Sequence, residues 1–161
     1  RLLLCDLDDT LYDKSGQLGE TPFTAAQFAA IRPFPEVAAL LALPRCRKIL
    51  VSAAKHGSTL QYRKLELLGL GTRFDGIHIC ASDADKLGLF RNLLARHRVV
   101  DPRTAFVIGN RRDSEIRYGN LLGCTTVLLL HGKYRSHAPR DALDVPTLAI
   151  AGLRELLALL Q

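Results

Sequence analysis

Leu2-Leu3-Leu4-Cys5-Asp6-Leu7-Asp8-Asp9-Thr10-Leu11 passes from four apolar residues into three carboxylates within four positions. A short apolar run of this kind reads as a buried strand. Three acids so close together repel one another and resist desolvation, and a hard divalent cation with its preference for oxygen ligands would relieve both problems. Taken alone, the stretch fits a solvated acidic turn as well as it fits a catalytic centre, so the residues outside it decide.

Further strand-like runs follow at Lys48–Val51, Gly76–Ile79, Thr104–Ile108 and Thr125–Leu130, with a shorter one at Val145–Ile150. Amphipathic helical patterns fill the intervals at Glu36–Leu43, Ser58–Leu68, Leu87–Arg96, Asp113–Leu122 and Leu153–Leu160. Gly69 and Gly123 stand where helices should stop. Alternation of this kind predicts a doubly wound (Rossmann-like) parallel α/β sheet with helices on both faces. We expect a single domain over residues 1–161. Within it, residues 12–35 hold Gly16, Gly19, Pro22, Pro33 and Pro35 and are expected to form a small flap or lid, with a short helix at Thr24–Ile31. Cys5 is expected to point into the core, because strand neighbours alternate faces.

Open α/β sheets bind ligands at the carboxyl ends of their strands. Asp6 and Asp8 follow the first run, Ser52 the second, and Gly109-Asn110-Arg111-Arg112-Asp113-Ser114-Glu115 the fourth, while Lys86 opens the preceding helix. Gathered in one crevice, these residues suit phosphoryl transfer. A carboxylate can attack phosphorus, a second can manage the proton of the leaving oxygen, and a hydroxyl and an ammonium can hold the phosphoryl oxygens. A bridging Mg2+ would lower the charge repulsion.

The order acid pair, Ser, Lys, then Gly-led polar turn resembles the haloacid dehalogenase (HAD) superfamily along nearly the whole chain, in a form with minimal or no cap domain. Echoes at Arg32-Pro33-Phe34-Pro35, Lys64-Leu65-Glu66-Leu67-Leu68-Gly69 and Arg73-Phe74-Asp75-Gly76 add to it. The resemblance implies that Asp6 is the nucleophile, Asp8 the general acid/base, and Ser52 and Lys86 the phosphate-binding pair. It implies a Mg2+ site made of Asp6, Asp8, Asn110 and Asp113. Asn110 departs from the pattern, standing where many members carry an acid. It implies a phosphatase acting on phosphate monoesters, either a small molecule or an exposed phosphate on a macromolecule. The intervals where relatives insert caps are short here, so the resemblance predicts an open site, which suits an extended or macromolecular phosphate, or else a neighbouring subunit as lid in a homo-oligomer.

Composition agrees with a globular chain: 48% of its 161 residues are hydrophobic and 24% charged, and no apolar run is long enough to cross a bilayer. Cys5, Cys46, Cys80 and Cys124 form no C-x-x-C pair and read as thiols of a reducing compartment, the cytoplasm. Arg1 leads into the first strand without a signal peptide, and the absence of an initiator Met suggests a trimmed chain. The net charge of +6 is spread over short clusters without interleaved aromatics, which argues against nucleic acid and suits a small anion. Arg111 and Arg112 fit anion attraction, Lys55 and His56 are placed to touch substrate but read first as solvated, and His131 reads as structural. A hydrolytic dehalogenase would not need Asp8, since halide leaves unprotonated. A non-catalytic phosphate- or metal-binding module stays open because of Asn110 and Glu115. A receiver domain would carry its acceptor Asp after the third strand, where Cys80-Ala81-Ser82 stands.

Overall fold

The computed structural model describes residues 1–54 and 57–161; Lys55 and His56, named above as substrate contacts, lie outside the described residues. Its strands are β1 (Leu2–Cys5), β2 (Arg47–Ala53), β3 (Gly76–Cys80), β4 (Ala105–Gly109), β5 (Thr125–Leu129) and β6 (Leu148–Ile150). All pair in parallel, in the order β3-β2-β1-β4-β5-β6. The helices are α1 (Lys14–Gln17), α2 (Ala25–Ala30), α3 (Val37–Leu41), α4 (Ser58–Leu67), α5 (Lys86–Arg96), α6 (Arg117–Leu121) and α7 (Leu153–Leu160).

The apolar run of β1 is continuous because both sheet faces are covered. Leu3 and Cys5 pack with Leu50, Ile108 and Val127 against Leu40 of α3, Leu65 of α4 and Leu156 of α7. Leu2 and Leu4 point the other way, joining Ile49, Val51 and Val107 beneath Phe90 and Leu93 of α5. Cys5 is fully buried, as the alternation predicts.

Boundaries moved where neighbours overrode local pattern. β2 runs on to Ala53 because β3 continues to offer partners, Ser52 opposite Ile79 and Ala53 opposite Cys80. Ser52 therefore lies within the strand, not after it. β6 begins only at Leu148: the Val145 carbonyl is taken by the Asn120 amide at 2.8 Å, and Pro146 has no N–H to pair. The helix expected over Asp113–Leu122 opens with a π-helical turn, Arg112–Ile116, before α6. Gly69 and Gly123 end their helices in the left-handed region, at φ +68° and +74°.

Residues 12–35 are anchored from below. Tyr12, Leu18, Phe28 and Ile31 are buried in the same cluster as Leu3 and Cys5. Thr24 starts α2 with a capping box, its hydroxyl accepting from the Gln27 amide while the Gln27 side chain accepts from Thr24 N–H.

Candidate active site

The chain crosses to opposite sides of β1, which pairs with β2 on one edge and β4 on the other. Strand order reverses there, and the reversal leaves a crevice at the carboxyl ends. Asp6 is the first residue beyond β1, pinned by its N–H to the Ile108 carbonyl of β4 at 3.0 Å. A cavity of about 240 Å³ opens over it. Asp6, Asp8, Ser52, Lys86, Asn110 and Glu115 line its floor and walls, with Lys14, Glu20, Thr21 and Phe23 from residues 12–35 and Lys133 and Tyr134 from the turn after β5.

Five of the six residues expected at the site, Asp6, Asp8, Ser52, Lys86 and Asn110, are brought together. Asp113 is not. Its carboxylate is bound by the Arg111 guanidinium at 3.0 and 3.1 Å, and it does not line the cavity. Glu115 occupies the wall in its place, 1% exposed and in contact with Lys86. The π-helical turn decides this outcome. Its wider winding buries Ser114, Glu115 and Ile116 and leaves Asp113 half-exposed. Gly109 makes room, since a Cβ there would lie 2.6 Å from Glu115 Oε2.

Lys86 is the electrostatic centre. Its side chain is 2% exposed, and the ammonium sits 3.0 Å from Asp6 Oδ1 and 3.3 Å from Asp83 Oδ1, besides its contact with Glu115 Oε1. Burial alone would lower its pKa, but the charges of Asp6, Glu115 and Asp83 hold it well above the ordinary lysine range. Burial acts on the Asp6 carboxyl with the opposite sign. Burial pushes its carboxyl up, Lys86 pulls it down, Glu115 and Asp8 push it up again, and the result is about 7.

Two residues on this wall were given no site role from the sequence, although Lys64 opens one of the echoes quoted for the resemblance. Gln61 and Lys64, both 3% exposed, project from α4 into the cavity. Lys64 Nζ lies 2.9 and 3.0 Å from the Asp8 oxygens. Gln61 Nε2 donates to Ser52 Oγ at 2.8 Å. The available signal was a pair of polar residues three apart, next to Leu65, on the inward face of a helix.

The flanking residues act as ties. Asp9, at φ +55°, accepts from Ser15 N at 2.7 Å and Ser15 Oγ at 2.6 Å and so holds the start of α1. His131 Nε2 lies 2.9 Å from Asp13 Oδ1 and its ring packs edge-on to Phe34, the structural role expected of it. Asp9, Asp13 and His131 bring ligand-type atoms within 4.8 Å of one another, yet these are the same groups that tie the segment down. Arg111 reaches the cavity but is bound to Asp83 and Asp113 and stacked over Tyr134 at 4.8 Å. Arg112 turns away to the carbonyls of His137 and Asp144. Neither guanidinium is a bare anion trap, contrary to the sequence expectation.

The donor set suits a hard divalent cation. Asp6, Asp8 and Glu115 offer carboxylate oxygens and Asn110 an amide carbonyl. Glu115 Oε2 is buried without a hydrogen-bond partner among the described residues, a position that needs compensating charge.

The Cys5, Cys46, Cys80 and Cys124 thiols are unpaired. Among the described residues no helix is long and apolar enough to cross a membrane.

Comparison with known proteins points in one direction. The family model for HAD-hydrolase-like proteins matches residues 86–156. A glyceraldehyde 3-phosphate phosphatase of Methanopyrus kandleri is 32% identical over 138 residues, 81% of this chain and 58% of its own, so the chain spans somewhat under three-fifths of that relative. The HAD-hydrolase YfnB of Bacillus subtilis, described as bound to magnesium, superposes with a TM-score of 0.73 at 17% identity, covering 100% of this chain and 98% of the other. The haloacid dehalogenase-like protein SP0104 of Streptococcus pneumoniae gives 0.71 at 15%, covering 99% and 98%. At such identities the structural likeness is one of fold alone. The family's own model over residues 86–156 and a relative one-third identical across most of this chain place the chain in the haloacid dehalogenase superfamily.

Proposed function

We propose that the chain is a Mg2+-dependent phosphatase that hydrolyses phosphate monoesters through an aspartyl-phosphate. The observation that carries the reading is Asp6, buried just beyond β1 and held by Lys86, in a cavity that Ser52 and Asn110 also line.

Asp6 Oδ attacks phosphorus, forming the acyl phosphate as the ester P–O bond breaks. Asp8 gives its proton to the departing oxygen and then takes one from the water that attacks the same phosphorus, which frees phosphate and restores Asp6. The Ser52 hydroxyl and the Lys86 ammonium stabilise the phosphoryl oxygens. Asp6, Asp8, Asn110 and Glu115 would hold magnesium, which supplies positive charge against the repulsion between nucleophile and phosphate.

The cavity volume and the contribution of residues 12–35 to its wall support a small phosphorylated metabolite over a macromolecular phosphate. The triose phosphate in the relative's name supports the same class. In this reading residues 1–161 form one domain, residues 12–35 are its flap, and the unpaired thiols fit a reducing compartment, the cytoplasm. A binding module without turnover is the second reading, favoured by the uncharged Asn110.

Hydrolysis of p-nitrophenyl phosphate and of a panel of small sugar phosphates, with and without Mg2+, tests the proposal. Metal-dependent turnover that Asp6→Asn abolishes is expected. No turnover on any ester overturns it in favour of the binding module.

A further inference from the structure

The inward face of α4 presents Gln61, Lys64 and Leu65. Leu65 belongs to the core, but its two companions are polar and nearly inaccessible. A buried ammonium is unfavourable unless its charge is matched. Among the described residues Lys64 pairs with Asp8 alone, bridging both of its oxygens at 2.9 and 3.0 Å. Tyr12 Oη adds a bond of 2.7 Å to Oδ1, and Gln61 Nε2 lies 3.4 Å from Oδ2. The Asp8 side chain is 30% exposed and on the cavity wall, so the clamp holds a group that still faces the substrate space.

Gln61 joins this clamp to the phosphate side of the site. Its Nε2 is surrounded by acceptors: Ser52 Oγ at 2.8 Å, Ala53 O at 3.2 Å and Asp8 Oδ2. The reverse amide orientation would set its carbonyl against the Ala53 carbonyl and the Asp8 carboxylate, which do not donate. Because Ser52 Oγ accepts from Gln61, the hydroxyl proton is left to donate elsewhere.

We propose that Lys64 and Gln61 are positioning residues for phosphoryl transfer. Lys64 fixes the Asp8 carboxyl where it exchanges a proton with the leaving oxygen, and Gln61 turns the Ser52 hydroxyl proton towards the phosphate. The proposal rests on the phosphatase reading above.

The test compares kcat/KM for wild type, Lys64→Met, Lys64→Arg and Gln61→Met across esters from p-nitrophenyl to alkyl phosphates. An alkoxide needs a proton to depart and a nitrophenolate does not. Lys64→Met should lower kcat/KM on the order of 100-fold for alkyl esters and under about 10-fold for p-nitrophenyl phosphate. Lys64→Arg should recover most of the alkyl activity, and Gln61→Met should raise KM for all esters alike. Equal losses on both ester types in a Lys64→Met protein that melts like wild type overturn the proposal while leaving the phosphatase reading intact. The double variant Asp8→Asn/Lys64→Met removes both charges of the pair and so guards against misfolding of the single variant. It should match Asp8→Asn alone, because Lys64 acts through Asp8, and a further tenfold loss overturns the proposal. A wild type inactive on every ester instead overturns the phosphatase reading itself.

Discussion

Asp6 shows how a working group costs stability. Burial, the largest cause, pushes its carboxyl up from the ordinary 3.8 to about 7. The folded state therefore binds this proton more tightly than the unfolded chain, and stability falls as pH rises from about 4 through 7. Asp6→Asn removes that loss. We expect the variant to be inactive yet to melt higher than wild type at pH 8, with the two converging near pH 4, as followed by circular dichroism. Glu115 and Asp113 make a second contrast. Glu115→Gln should raise the Mg2+ concentration needed for half-maximal activity by about tenfold, the loss of one charged oxygen ligand. Asp113→Asn should leave that concentration unchanged, since its carboxylate is spent on Arg111. Equal shifts in a metal titration would refute the assignment. Asp6 and Asp8 were singled out in the sequence only with the help of Ser52, Lys86 and the Gly109–Glu115 turn in order behind them, since the acidic stretch alone fitted a solvated turn equally well. Glu115 was not, because a regular helix and a π-helical turn send neighbouring positions in different directions.

At the scale of elements, the turn between β5 and β6 is closed by one carboxylate. Asp144 is 1% exposed and accepts from Arg140 Nε at 2.7 Å and Arg117 Nη1 at 2.9 Å. The Arg140 hydrogen bond is the largest of the causes that hold its carboxyl well below the usual range. The sign is opposite to that of Asp6: the unfolded chain binds the proton more tightly, so this stability is complete above about pH 4 and is lost as pH falls further. Asp144→Asn should cost about 2 kcal/mol at pH 7 and should flatten the acid limb of the stability profile in urea titrations between pH 2 and 5. A limb identical to that of wild type would exclude the lock. The same turn explains the short β6, whose approach is held by Asn120 through the carbonyls of Leu143 and Val145. These partners are more than 20 positions away, so the hydrophobic pattern of Val145–Ile150 could not reveal them.

For the whole molecule, the two sheet faces differ in what they pack. α7 completes the larger cluster with Leu153, Leu156 and Leu160, all buried. Leu156→Ala should destabilise the fold by about 2–5 kcal/mol, read from equilibrium urea unfolding, and a change under 0.5 kcal/mol would show that α7 is not integral to this core. The tie from His131 to Asp13 and the pair of Lys133 with Glu20 join the turn after β5 to residues 12–35, and Lys133 and Glu20 both line the cavity. The sequence suggested an open crevice because no large insertion is present. The structure narrows it with short segments from two distant parts of the chain.

By itself the sequence determined the alternation of strands and helices and the parallel doubly wound sheet, because hydrophobic periodicity and glycine stops are local signals; tertiary neighbours then moved several boundaries. It also placed Asp6, Asp8, Lys86 and Asn110 at strand ends or helix starts, hence at one edge of the sheet, and Ser52 just past β2, where the structure keeps it inside the strand. Only the tertiary structure decided that Glu115 faces Lys86 and Asp113 faces Arg111, that Lys64 and Gln61 reach across from α4, and that residues 12–35 wall the cavity. Those outcomes turn on helix winding and on contacts between residues up to 113 positions apart, and neither is written in the neighbours along the chain.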